Sequence, residues 1–129
     1  MIRIINHGIN LIQSKIREKK KSKERSPEWD RVRDRFLKEK PVCASCGGKK
    51  ELQVHHIEPF HVRPDLELDY SNLVVLCMGR WDCHIKIGHG SSFKFFNKDV
   101  IPNATEIKND PKSRHRIEKA AKLARIKMA

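Results

Sequence analysis

The residues best able to do chemistry in this chain lie between Cys43 and His84. Its four cysteines form two pairs: Cys43-x2-Cys46, followed by Gly47 and Gly48, and Cys77-x5-Cys83. Two thiolates at the first spacing can bind one tetrahedral ion if the backbone turns sharply between them. Glycine after the second cysteine takes the positive φ that such a knuckle often needs. The second, looser pair completes a four-thiolate zinc site joining two halves of the domain. Four thiolates fill the zinc sphere, so the site would be a staple and not a reaction centre. Disulfides or free thiols are the alternatives, and a redox C-x2-C would want a βαβ context that is missing. Between the pairs stand Val54-His55-His56-Ile57-Glu58-Pro59 and Asn72-Leu73, and Cys83 is followed by His84. A neutral imidazole can take a proton from water or ligate a metal ion near physiological pH. In a straight strand His55 and His56 point to opposite faces, which suits two separate roles and not two ligands on one ion.

In that order these elements resemble the HNH, or ββα-metal (His-Me finger), endonuclease family in its cysteine-bearing zinc branch. The family pattern is two cysteines, a His-His or Asp-His pair at a strand end, an asparagine opening the next strand, and a helix bearing a final histidine or asparagine. The resemblance implies hydrolysis of DNA phosphodiester bonds, leaving 5′-phosphate and 3′-hydroxyl ends. It implies His56 as general base, with His55 and His84 as ligands of a catalytic divalent ion, Mg²⁺ or another. It also implies that Asn72 braces the loop between the strands and so orients His56. Zn²⁺ on Cys43, Cys46, Cys77 and Cys83 is the implied structural metal. The chain departs from the common pattern where Met78 to Asp82 separate the second cysteine pair, which many relatives space as C-x2-C. Within that insertion Arg80 and Trp81 are placed either for phosphate pairing and base stacking or for packing on the domain.

Other histidines are open. His89 lies about 140° from His84 on an ideal helix, away from its face, unless a turn at Gly88 brings it back. His61 is a second such residue, His7 and His115 read as ordinary, and Glu58 reads as solvated.

The elements that must carry these groups follow from local pattern. Ser26-Pro27-Glu28 signals a helix start, and Trp29, Val32, Phe36 and Leu37 recur at helical spacing, predicting an amphipathic helix over 27–40 that Pro41 ends. Strands are expected over 52–57 and 72–77, with a largely polar loop over 61–71 between them. Asp82 can cap a short helix through Cys83, His84 and Ile85. Phe93, Phe95 and Phe96 read as core aromatics. A second basic helix is expected over 111–128, with Ile117, Ala120, Ala121 and Ala124 on one face. The fold class is therefore α+β: a two-stranded antiparallel hairpin plus helix forming a small metal finger, stapled by zinc and flanked by basic helices. Residues 1–25 read as a basic arm, 26–100 as the nuclease domain and 101–129 as a basic C-terminal helix or tail.

With 129 residues, 38% hydrophobic and 34% charged, the chain has room for one thin core, and small cores usually need a staple. The net charge of +12 and pI of about 9.8 suit a polyanion, because neutralised phosphates supply most sequence-independent affinity for nucleic acid. Arg31, Arg33, Arg35 and Arg80 are the candidate DNA contacts. No recognition module is visible, so the expected partner is double-stranded DNA cut with low sequence specificity. No secretory signal or membrane span is evident, so a cytoplasmic location is expected. A homodimer, or a phage or restriction partner, is compatible with the chain. The competing readings are a zinc-stapled nucleic-acid-binding module without catalysis and a partner-dependent phage packaging accessory.

Overall fold

The computed structural model describes residues 24–128. Most of the basic arm expected over 1–25, including His7, therefore lies outside the described residues.

Helix α1 (Trp29–Glu39) forms where the apolar spacing predicts it. The amide of Glu28 donates to Ser26 Oγ at 3.1 Å, closing the entry turn. Strands β1 (Leu52–His56) and β2 (Leu73–Cys77) pair antiparallel, with His55 opposite Val74 and His56 opposite Leu73. Directly opposed residues share a sheet face, and successive residues alternate between faces. Leu73 and Val75 thus meet Val32 and Phe36 of α1. Val74 and Leu76 meet Cys43, Cys83, Ile87, Val100, Ile107 and Ile117 on the other face. All five residues of β2 are buried because both faces of the hairpin are covered.

After β2 the chain makes a π turn over His84–Gly88, where a short ordinary helix is expected from the sequence. Strand β3 (Phe95–Phe96) then pairs antiparallel with β4 (Ile126–Lys127), and helices α2 (Val100–Asn109) and α3 (Arg114–Ala124) lie between them. Helix α2 has no counterpart in the sequence reading, although Val100, Ala104 and Ile107 recur at helical spacing and are its buried residues. Pro102 is tolerated there because the first-turn amides have no intrahelical partner.

The helix expected over 111–128 starts with a 3-10 turn (Pro111–Ser113) and stops at Ala124, where Arg125 turns extended. Its buried residues are Ile117 and Ala121, while Ala120 and Ala124 face solvent. Gly90 explains the close approach of this end of the chain. Its φ is +59°, and a Cβ there would lie 2.8 Å from the Ala121 carbonyl oxygen and 2.9 Å from Arg125 Cβ. Of the three phenylalanines read as core, only Phe96 is fully buried, and Phe93 is 51% exposed. Among the described residues no helix is long and apolar enough to cross a membrane.

Candidate metal centres and active site

The two cysteine pairs come together. Ligand atoms of Cys43, Cys46, Cys77 and Cys83 all lie within 4.8 Å of one another, so the x5 insertion does not separate the second pair. The knuckle is built from the backbone: Gly47 N–H donates to the Cys43 carbonyl at 3.0 Å, and Gly47 takes a φ of +75°. The amides of Cys46 and Gly48 point at Cys43 Sγ (3.5 Å) and Cys46 Sγ (3.4 Å), an arrangement that stabilises thiolate sulfur. Bonding from the Cys83 thiol holds Cys43 well below the ordinary thiol range, and the same shared proton pushes Cys83 up. Arg114 of α3 donates to Cys83 Sγ at 3.3 Å and to the Trp81 carbonyl at 2.8 Å. The four sulfurs thus form a donor set that fits a tetrahedral cation, tied to the C-terminal helix by a guanidinium.

A second group of ligand atoms lies on the Val74 face of the hairpin. His55, His84 and His89 bring theirs within 4.8 Å of one another. His89 reaches this group because the π turn has one more residue per hydrogen-bonded loop than an α-turn, so residues five apart return to one face. His89 Nδ1–H donates to the Phe95 carbonyl at 2.7 Å, and His84 Nδ1–H to Gln53 Oε1 at 3.1 Å. Both tautomers leave the lone pair on Nε2, and the two Nε2 atoms face each other at 3.3 Å. Two acceptors cannot bond to each other. His55 Nε2 is fully buried with no hydrogen-bond partner among the described residues. Three inward imidazole lone pairs, two of them oriented by outer bonds, are the donor chemistry of a divalent-cation site.

The electrostatics agree. Burial, reinforced by the neighbouring imidazoles, holds His55 well below the ordinary histidine value. Burial and then His89 bring His84 down to about 4, and burial lowers His89 against the opposing bond to Phe95. These rings are neutral at pH 7 and available as ligands. A folded-state value below the unfolded one adds stability above the unfolded pKa, and this is lost as pH falls through the folded value. For His84 that window runs from 6.5 down to about 4. Without added divalent ion, the wild-type Tm is therefore expected to fall between pH 7 and pH 5 more steeply than that of His84→Gln. Parallel curves in thermal melts would contradict this.

Gly88 sits in tight space. A Cβ there would lie 3.0 Å from His55 Cε1, 3.1 Å from His55 Nε2 and 3.1 Å from Leu76 Cδ1. All these neighbours are buried. Gly88→Ala is expected to cost about 1–3 kcal/mol by overpacking and to weaken cation binding about 10- to 100-fold by turning the ring. Calorimetric melts and titration with Mn²⁺ would measure both.

His56 turns to the opposite face. Its Nε2–H donates to the Glu67 carbonyl at 2.9 Å, and its ring lies 4.4 Å from that of Trp29. Nδ1 is therefore the ring's proton-accepting nitrogen. Asn72 is buried and bonds both ends of the intervening loop. Its Oδ1 accepts from Glu58 N–H at 2.9 Å, and its Nδ2 donates to the carbonyls of Glu58 (3.0 Å) and Leu66 (3.4 Å). Both histidine faces open onto one cavity of about 350 Å³, lined among others by Arg25, His55, His56, His61, His84 and His89. His61 lines that cavity outside the three-imidazole group, and Phe93 stacks edgewise on His84 and His89.

The candidate DNA contacts are distributed differently. Arg31 pairs with Glu28, Arg33 with Asp30 (3.2 Å) and Asp34 (3.0 Å), and Arg35 with Glu39 (3.2 Å), so each is matched by an acid on or beside α1. Arg80 is exposed, with its guanidinium over the Trp81 ring at 5.1 Å. Two residues at the site escape the sequence reading: Arg25, assigned to the basic arm, and Glu67, assigned to a polar loop but fully buried. Only an acid between the apolar Leu66 and Leu68 hinted at the second.

Residues 43–90 match the family model described as HNH endonuclease. No curated protein and no solved structure matches the chain. Over residues 43–90 the chain is thus similar to the HNH endonuclease family, and its four clustered cysteines are consistent with the zinc-bearing branch of that family.

Proposed function

We propose that the chain is a metal-dependent endonuclease that hydrolyses phosphodiester bonds of double-stranded DNA, leaving 5′-phosphate and 3′-hydroxyl ends. In this reading His55 and His84, joined by His89, hold the catalytic divalent cation, and the four cysteines hold structural zinc. When bound, the cation supplies positive charge to the phosphate and the departing 3′ oxygen.

The remaining work falls to groups of the chain. His56 Nδ1 takes the proton of the attacking water. As that proton arrives, Nε2–H becomes a stronger donor to the Glu67 carbonyl, which stabilises the imidazolium. Trp29 limits the tilt of the ring from one side. Asn72 fixes the loop that carries the Glu67 carbonyl, so it orients His56 without touching substrate. Arg31, Arg33, Arg35 and Arg80 supply phosphate contacts that position a duplex without reading sequence.

The observation that carries this reading is the divergence of adjacent histidines. His55 enters a buried group of three imidazoles while His56 presents an oriented proton acceptor from the other strand face, and both line one cavity. The test is nicking of supercoiled plasmid with Mg²⁺, Mn²⁺, Ni²⁺ or EDTA. Cutting that needs the added ion supports the reading. Tight DNA binding with no cutting under any ion would replace it with a binding module or a partner-dependent enzyme.

A further inference from the structure

Glu67 is the one carboxylate among the described residues with no exposed surface, and it sits in a loop between two 3-10 turns, Pro64–Leu66 and Tyr70–Asn72. Burying a carboxylate is costly unless hydrogen bonds and an opposite charge compensate it. Glu67 Oε1 accepts from the Ser26 amide at 3.1 Å, and Oε2 pairs with Arg25 Nη1 at 3.2 Å. Both partners lie some forty residues earlier in the chain, whereas the α1 arginines pair with acids within four positions.

The same residue's backbone carbonyl holds His56. Arg25 in turn stands over the rings of Phe60 (4.5 Å) and Trp29 (5.4 Å), and Trp29 lies against His56 at 4.4 Å. The contacts close a circuit from Glu67 to Arg25, to Trp29, to His56 and back to Glu67. Arg25 also lines the cavity beside His55, His56 and His84, with its side chain 47% exposed. A guanidinium has five N–H donors in a planar fork, so one bond to Glu67 leaves it able to take an anion at the cavity.

We propose that Glu67 is a positioning residue that holds the Arg25 guanidinium and the His56 imidazole as one unit, so that Arg25 binds a DNA backbone phosphate beside the proton acceptor. The proposal rests on the nuclease reading for what His56 does, and extends it to two residues outside the histidine and asparagine set.

The test compares wild type, Arg25→Lys, Arg25→Gln and Glu67→Gln. Duplex binding is followed by fluorescence anisotropy over a salt series without added divalent ion, plasmid nicking by kinetics, and the His56 ring nitrogens by NMR. Arg25→Gln is expected to lower the slope of log K against log salt by about one and to raise KM for nicking roughly tenfold, while Arg25→Lys keeps the slope. Glu67→Gln keeps an acceptor for Ser26 but loses the charge. It is expected to lower kcat about tenfold or more and to erase the single Nε2–H tautomer signature of His56, which a purely structural anchor would not do.

An unchanged slope in Arg25→Gln overturns the phosphate site. A wild-type His56 signature in Glu67→Gln overturns the positioning role. Should wild type bind DNA without cutting, the nuclease reading fails, and the slope and the ring signal still decide this one. Should Glu67→Gln fail to fold, the half-exposed Arg25 carries the decision.

Discussion

Replacing His56 with alanine is expected to lower metal-dependent plasmid nicking by about 10²- to 10⁴-fold, the usual contribution of a positioned general base. The loss should fall on kcat, because His56 lies outside the buried imidazole group and its removal leaves that group intact. Mn²⁺ affinity measured by calorimetry should therefore stay near wild type in His56→Ala and collapse in His55→Ala, whose Nε2 has no other partner among the described residues. The packing cost is small, since the ring is part-exposed and rests chiefly on Trp29. Nicking that survives in His56→Ala would mean that another group accepts the proton, with the cavity-lining His61 as the next residue to replace.

The second large effect is expected at the cysteines. With 38% hydrophobic residues, the chain depends on a core whose main cluster includes Cys43, Cys77 and Cys83. These sulfurs join the knuckle, the end of β2 and the π turn, and Arg114 extends the junction to α3. Structural zinc contributes an apparent binding free energy of roughly 10 kcal/mol or more, against a total domain stability of about 5–15 kcal/mol. Cys43→Ser is therefore expected to abolish the cooperative thermal transition, and a strong chelator should do the same to wild type. Circular dichroism melts with metal analysis would check both. A chelator-resistant, dithiothreitol-sensitive transition would instead indicate disulfides. Retention of the transition in both reagents would make the cluster a packed set of thiols.

Much of this molecule follows from short-range pattern. Helix α1, strands β1 and β2, and the opposite orientation of His55 and His56 are consequences of helical spacing, β-branched composition and the two-residue period of a strand. The Cys43-x2-Cys46 knuckle is equally local, because Gly47 next to it takes the positive φ that the turn requires. Of the site residues named from the sequence, His55, His56 and His84 line one cavity.

Other features depend on contacts between segments far apart in the chain. His89 returns to His84 through a π turn, and an ideal helix would have carried it away. That turn holds Gly88 against His55 and Leu76, so close that a Cβ would have to push them aside by a few tenths of an ångström. Glu67 reads as one more acid in a polar loop, yet the amide of Ser26 and the guanidinium of Arg25 compensate its burial. Phe93 reads as core and lies exposed against two of the histidines. The arginines of α1 read as a basic face and are each matched by a neighbouring acid. Sequence by itself determined which residues are able to carry chemistry and which strand face each histidine takes, because those depend on residue type and nearest neighbours. Tertiary structure alone decided which of them meet, because burial of a charge, the return of a turn and the sharing of a proton depend on what the rest of the chain places alongside.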